Sequence, residues 1–401
     1  MTLPISCRGI CFWRRGLSFN QKPVEENGFL AIKSLVQGDN MDTVKIGIIG
    51  TGGISRMHQR TYQEVGDFEI VAVCDIIKAK ALRAAEEWGV PKKYAFTSYN
   101  KMLEMDEIDA VSVCTYNQGH RRPTVAALKA GKHVLCEKPM AATLNDATAM
   151  VRAAKETGKV LQIGLNPTFS PQLQFARKLV DEGVLGDIYY AETAGCRRRG
   201  TPGHTFIYKK TAGAGAIVDI GVYNMHSMLY VMGYPKPVRV SAITEDYISH
   251  QDPRFADMDV EEFGAAWVRF ENGGVMVFKI SWAVHQDSLG GNFFLGKRAG
   301  MSLGGPVLYA DELSEQVKQL AKAEGLTPEP NPPQGMTTIR FSGFPEADCW
   351  KLQMKFFGEA VRSNGPSPIP PEGVLLTNVI MDGIFRAHQL RKEVAVKVPE
   401  I

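Results

Sequence analysis

Residues 44–55 read VKIGIIGTGGIS. A strong strand pattern, VKIGIIG, runs into Gly50-Thr51-Gly52-Gly53-Ile54-Ser55, a GxGxx turn closed by a small residue at the mouth of a helix pattern. Each position has a physical task if the turn cradles a dinucleotide. Gly50 permits the tight turn, Gly52 lets the backbone approach a pyrophosphate, and Ser55 is small enough for close helix–strand packing. The helix N-terminus then faces the anion, with Gly53 and Ile54 completing the cradle. Alone, such a turn is weak evidence. Its context strengthens it, because the next strand pattern, FEIVAVCD (68–75), ends in Asp75 about twenty residues on, where a ribose-binding acid belongs. Asp75 would accept hydrogen bonds from both adenosine ribose hydroxyls and repel a 2′-phosphate, which favours NAD over NADP. Its competing role is to open a turn after the strand.

Outward from this turn, strand and helix patterns alternate, as in a doubly wound parallel α/β sheet. Further strands are DAVSVCT (109–115), KHVLCEKP (132–139) and KVLQIG (159–164). Between the strands lie KAKALRAAEEWG (78–89), RRPTVAALKAG (121–131) and LNDATAMVRAAKETG (144–158), each with helical periodicity and a terminal glycine stop. The dinucleotide-binding Rossmann domain is therefore set at 44–165. Beyond Gly233, PVRVSAITE, EEFGAAWVRF, GVMVFKISWA and NFFLGKRAGMSL are long enough to form a sheet of their own. Gly273-Gly274 after Glu271-Asn272 marks a hairpin. Pro328–Pro333 and Pro366–Pro371 are expected as loops, and TNVIMDGIFRAHQLRKE (377–393) as an amphipathic helix.

The totals bound the partners. A chain of 401 residues with 44% apolar and 22% charged residues is an ordinary globular composition, with two domains the natural division. A formal charge of +3 provides no electrostatic footprint for nucleic acid or membrane. The longest apolar run, 212–234, is interrupted by Asp219, Asn224 and His226, so it reads as a buried helix and not a membrane span. The seven cysteines show no zinc-like spacing and suit a reducing cytoplasm without structural disulfides. His204, His250 and His285 lack mutual ligand spacing, so no metal is expected.

Residues 1–43 are expected to be a leader, disordered or outside the native protein. Arg14-Arg15 lack a following apolar region, which argues against twin-arginine export. No acidic residue precedes Glu25, as in an organellar presequence, yet no amphipathic face is evident. Gln37-Gly38-Asp39 can be coded CAA-GGA-GAT, which contains the ribosome-binding sequence AAGGAG just before Met41. We hypothesise that Met41 is the native start; a peptide from residues 1–40 in the endogenous protein would refute this.

Two strand ends and one apolar segment carry chemistry. Cys114–His120 and Cys136-Glu137-Lys138-Pro139 lie where ligands bind in such sheets, outside the carboxyl ends of strands. AGAGAIVDIGVYNMHSM (212–228), read as one helix, stacks Asp219, Tyr223 and His226 at i, i+4 and i+7 on one face. That stripe is either a set of satisfied core polar groups, a solvated face, or one wall of a site.

The combined motifs tip this balance. A GxGGI turn, a strand ending in Asp, a T-x-N-x-x-H turn, EKP, and a glycine-rich entry into D-x-G-x-Y resemble the glucose–fructose oxidoreductase/inositol dehydrogenase (Gfo/Idh/MocA) family, from about residue 44 to the end. The resemblance implies a C-terminal α/β domain, 166–401, built on a large open, mainly antiparallel sheet. It also implies NAD(P) and oxidation of a secondary alcohol of a sugar or cyclitol, or reduction of the ketone. The EKP lysine, here Lys138, is the family's usual proton-transfer residue. Physical chemistry agrees, since a departing hydride requires removal of the hydroxyl proton, and a desolvated lysine has its pKa lowered towards the working pH. Thr115 and Asn117 become cofactor contacts. Glu137 either hydrogen-bonds around the cofactor or orders its turn, and His120 caps or packs.

In the same resemblance Asp219, Gly221 and Tyr223 form the substrate wall opposite Lys138. Asp219 would accept a hydrogen bond from a substrate hydroxyl. Tyr223 stands where the family commonly has histidine, a departure met in the glucose–fructose oxidoreductase and dihydrodiol dehydrogenase branches. With an ordinary pKa of roughly 10 it is a better donor than base. His226 is either substrate-facing or a buried hydrogen-bonded histidine. Arg197-Arg198-Arg199, with Lys209 and Lys210, are either a solvated face or a cationic rim for an acidic sugar or phosphate. The sheet's free face is expected to pair subunits in a homodimer or homotetramer.

The resulting expectation is a cytoplasmic NAD-dependent oxidoreductase acting on CH–OH of a sugar, sugar derivative or cyclitol. Lys138 serves as acid/base, with Asp219 and Tyr223 at the reacting centre. Two alternatives stand beside it: an enzyme that cleaves or epimerises glycosides using NAD transiently, and a redox-silent dinucleotide-binding sensor.

Overall fold

The structure, a computed structural model, describes residues 42–331 and 336–401. Apart from Asp42 and Thr43, the expected leader lies outside the described residues, as do Pro332 and Pro333. The first sheet contains β1 (Val44–Ile49), β2 (Phe68–Cys74), β3 (Ala95–Phe96), β4 (Ala110–Val113), β5 (His133–Cys136) and β6 (Leu161–Ile163), all parallel, in the order β3-β2-β1-β4-β5-β6. β4, β5 and β6 are buried at every residue, as expected for strands covered on both faces. β3, only two residues long, has no period by which the sequence could announce it. The strand order reverses between β1 and β4, which places the Gly50 turn and the Thr115 turn beside one crevice.

The second sheet is built from β7 (Ile188–Cys196), β8 (Pro237–Glu245), β9 (Phe263–Phe270), β10 (Val275–Ser281), β11 (Phe293–Gly296), β12 (Gly300–Ser302), β13 (Val307–Ala310), β14 (Thr327–Asn331), β15 (Thr337–Ser342) and β16 (Val394–Ala395). Its order is β14-β15-β13-β12-β11-β7-β10-β9-β8-β16, and only the β7–β10 pair is parallel. The β9–β10 hairpin turns at Gly273, whose φ of 85° is open to glycine. Pro328–Asn331 is not loop: it lies in β14, an outermost strand. An edge tolerates proline because the missing N–H can face away from the ladder.

One sheet face packs on helices Pro171–Asp181, Gly221–Val231 and the later turns of Pro371–Leu390. The other carries Tyr190, Trp267 and Phe293, with ring centroids 6.3 and 5.9 Å from Tyr190 to its two neighbours.

A boundary at residue 165 separates the two sheets but not the two cores. Helix Cys349–Ser363 returns to the first sheet, packing Met354, Phe357, Ala360 and Val361 against Val44, Ile46, Ile48 and Tyr62. Helix Pro371–Leu390 is buried nearly all round instead of amphipathic, with Val374 and Leu375 in the first core and Ile380, Ile384 and Ala387 in the second. It wedges the domains together.

Candidate active site

The EKP turn leaves the carboxyl end of β5 and brings Lys138 against the second domain. Its Nζ donates to the backbone carbonyl of Asp219 at 2.6 Å and to Asp219 Oδ1 at 3.0 Å. The Tyr223 ring centroid lies 4.9 Å from the same nitrogen. Three of the expected residues therefore converge, across the domain junction. Burial, reinforced by the nearby charges of Glu137 and Asp219, holds the Tyr223 phenol well above its ordinary pKa, so it stays a donor.

The segment 212–228 is not one helix. It breaks at Ile220 into helices Ala216–Asp219 and Gly221–Val231. Just past the break the chain packs tightly on β10: a Cβ at Gly221 would sit 2.7 Å from Phe278 Cζ. His226 parts company with the stripe. It is buried between Thr168 Oγ1 at 3.2 Å and the Tyr234 hydroxyl at 3.1 Å, and burial pushes its imidazole down to about 3. This is the hydrogen-bonded core histidine of the two alternatives, not a neighbour of Lys138.

Asp219 is committed more fully than expected. While Oδ1 accepts from Lys138, Oδ2 accepts from the indole Nε1–H of Trp282 at 3.1 Å, and Trp282 has no exposed surface. Both Asp219 oxygens are therefore engaged, one of them by the lysine. Trp282, just past β10, was not singled out from the sequence. The only local signal is an indole at a strand end, and its partner stands far away in the chain. Glu261 was missed too. Its buried carboxylate accepts the N–H groups of Gly215 (2.8 Å) and Ile217 (3.0 Å), anchoring the short helix that ends in Asp219. Burial outweighs those bonds and pushes Glu261 up to about 7.

The Gly50 turn has the shape a pyrophosphate needs. Gly50 has φ 90°, and a Cβ there would meet the Cys114 carbonyl oxygen at 2.6 Å. At Gly52 and Gly53 a Cβ would meet nothing within 4 Å. Helix Gly53–Val65 starts without a side-chain cap, leaving its first N–H groups facing that open space. Ser55 is fully buried, as close packing requires. These residues fit a dinucleotide.

Asp75 does open a turn: Oδ2 accepts from Thr51 N–H and Oγ1–H, both at 3.0 Å, and Oδ1 from Ile77 N–H at 2.9 Å. A carboxylate has about four acceptor positions, so roughly one remains for a ribose. Thr115 borders the Gly50 turn, whereas Asn117 reaches across the junction to donate to the Ala212 carbonyl at 2.9 Å. Glu137 takes the turn-ordering role, bonded to His58 and to the Lys138 amide. Buried His120 links the two turns through the Pro139 and Thr115 carbonyls, at 2.9 and 3.1 Å. The arginine run leaves β7 and is exposed, yet its backbone pairs beside the end of β10: Arg197 N–H donates to the Ser281 carbonyl and Gly200 N–H to the Trp282 carbonyl.

Comparison with known proteins agrees with this geometry. The model of an oxidoreductase family with an NAD-binding Rossmann fold matches residues 44–165, and that of the GFO/IDH/MocA C-terminal domain matches 173–299. D-glucoside 3-dehydrogenase of Escherichia coli is 33% identical over 285 residues, covering 68% of this chain and 80% of that protein. Inositol 2-dehydrogenase of Salmonella typhimurium is 32% identical over 146 residues, 36% of this chain and 43% of that protein. Among solved structures, levoglucosan dehydrogenase in complex with NADH has the same fold, with a TM-score of 0.73 at 19% identity over 90% of this chain and all of that one. Sequence models and fold together establish that the chain belongs to the Gfo/Idh/MocA oxidoreductase family.

Proposed function

We propose that the chain is an NAD-dependent dehydrogenase that moves hydride between nicotinamide and a secondary alcohol or ketone of a sugar, sugar derivative or cyclitol, with Lys138 as acid/base. The observation that carries this is the double hydrogen bond from Lys138 to Asp219. An ammonium has three N–H groups, and with two of them given to Asp219 the third is free to face a substrate oxygen: it donates its proton to a ketone during reduction, and the amine left behind takes a hydroxyl proton in the reverse direction. Bound nicotinamide supplies the hydride acceptor. Tyr223, held as a phenol, donates to the reacting oxygen, while Trp282 keeps the Asp219 carboxylate from rotating away.

Asp75, beside the Gly50 turn, supports NAD over NADP, and the position of Thr115 next to the same turn supports a contact with the cofactor. The related glucoside and inositol dehydrogenases support the substrate class. The aromatic cluster of Tyr190, Trp267 and Phe293 on the outer sheet face supports a homodimer or homotetramer, and the free thiols at Cys74, Cys114, Cys136, Cys196 and Cys349 suit the cytoplasm. The test is NADH formation at 340 nm against sugars, glucosides, inositols and uronates. Turnover of at least one polyol is expected. Silence across the panel with intact NAD binding refutes net dehydrogenation.

A further inference from the structure

Behind the Lys138 turn runs a buried polar chain that proton transfer leaves unused. His58, on helix Gly53–Val65, has no exposed surface, and its Nε2–H donates to Glu137 Oε1 at 2.7 Å. Glu137, also buried, accepts the backbone N–H of Lys138 on Oε2 at 3.2 Å. On the far side, His58 Nδ1 lies 3.3 Å from Ser112 Oγ, which is 2.7 Å from the Tyr62 hydroxyl. The Trp350 ring closes edge-on against the imidazole at 5.9 Å. Space for the carboxylate depends on Gly164, where a Cβ would lie 2.9 Å from Glu137 Oε1.

Burying a carboxylate is costly unless it is paired and hydrogen-bonded. Burial alone would raise the Glu137 pKa; the His58 hydrogen bond and charge, with Lys138, bring it below its ordinary value. The two ends of this pair are not arbitrary places. One is the helix whose N-terminus forms the pyrophosphate cradle; the other is the backbone of the residue whose amine moves the proton.

We propose that His58 and Glu137 are positioning residues that lock the cradle helix to the Lys138 backbone, so that dinucleotide and amine are held in one frame. The proposal rests on the dehydrogenase reading of Lys138. A catalytic group displaced by about 1 Å loses on the order of 10²-fold in rate. Releasing the Lys138 turn therefore costs kcat, while the open cradle at Gly52 and Gly53 keeps its affinity.

The test compares His58→Leu, which deletes the donor, with His58→Gln, which places an amide N–H near the Nε2 position. Expected for His58→Leu is a kcat about 10²-fold below parent, with NAD affinity by calorimetry nearly unchanged and most of kcat recovered in His58→Gln. A second readout is acetylation of Lys138 in cofactor-free protein, followed by peptide mass spectrometry. It is expected to be faster in His58→Leu and parental in His58→Gln. If His58→Leu does not fold, His58→Leu/Glu137→Leu removes both polar partners and is expected to show the same kcat loss. Parental kcat in the leucine variants, or equal loss in His58→Gln, overturns the proposal. Lys138→Ala is run alongside: if it keeps parental turnover, the acid/base reading of Lys138 falls and the proposal with it. If Lys138→Ala is inactive while His58→Leu is parental, only the positioning role fails.

Discussion

Replacing Trp282 with phenylalanine isolates one atom of the candidate active site. The benzyl ring keeps an aromatic body at a fully buried position, but the Nε1–H that reaches Asp219 Oδ2 at 3.1 Å is gone. A hydrogen bond to a charged group contributes about 1.5–3 kcal/mol. If that energy serves to hold Asp219, and through it Lys138, the loss appears in the barrier as roughly 10- to 150-fold in kcat at 1.36 kcal/mol per decade. KM for NAD should hardly move, because Trp282 lies on the sheet-domain side of the junction. The assay is steady-state NADH formation by the parent, Trp282→Phe, Asp219→Asn and the double variant. Since both single changes disturb one hydrogen-bonded unit, the double variant should lose less than the product of the two, with a coupling of about 1 kcal/mol or more. Parental kcat in Trp282→Phe, or strictly additive losses, would refute the reasoning.

Three other outcomes follow from the same geometry. Gly52→Val should leave Tm unchanged, because Gly52 has extended backbone and a Cβ there meets open space. NAD affinity should fall at least about tenfold, or 1.4 kcal/mol; unaltered binding by calorimetry would move the cofactor elsewhere. Asp75→Ala should narrow the NAD/NADP preference by about tenfold, the worth of one charge-assisted hydrogen bond; an unchanged ratio of kcat/KM values would remove the ribose role. Glu261, raised from 4.5 to about 7 by burial, contributes stability that is fully present below pH 4.5 and lost as pH rises through about 7. The gap amounts to roughly 3 kcal/mol, so Glu261→Gln should flatten Tm across that window; an identical slope in the variant would contradict this.

The nucleotide domain was legible from sequence because its signals are local. Gly50, Gly52, Ser55 and Asp75 carry their reasons within one strand, one turn and the next strand. Lys138 stood out at a strand end and Asp219 in a polar stripe, but only the resemblance set them opposite each other, since nothing in either local segment announces that they meet across a domain junction. What escaped was long-range. Trp282 reads as an apolar residue ending a strand until the fold places Asp219 beneath its indole. The close approach of Gly221 to Phe278 is a contact between distant segments, which no periodicity of 212–228 can report. His226 kept its helical spacing from Tyr223, but Thr168 and Tyr234 were already waiting for it. Helix Cys349–Ser363 completes the first core from the far end of the chain, so a boundary drawn by reading forward could not include it.

The most direct measurement is the rate of hydride transfer in Lys138→Ala, with and without added primary amines. General acid–base catalysis by a positioned side chain contributes typically 10²–10⁴-fold. Lys138 as acid/base therefore predicts a loss of that order, with NAD binding intact, and partial recovery by small amines that increases with their basicity. Parental turnover in Lys138→Ala would contradict the account.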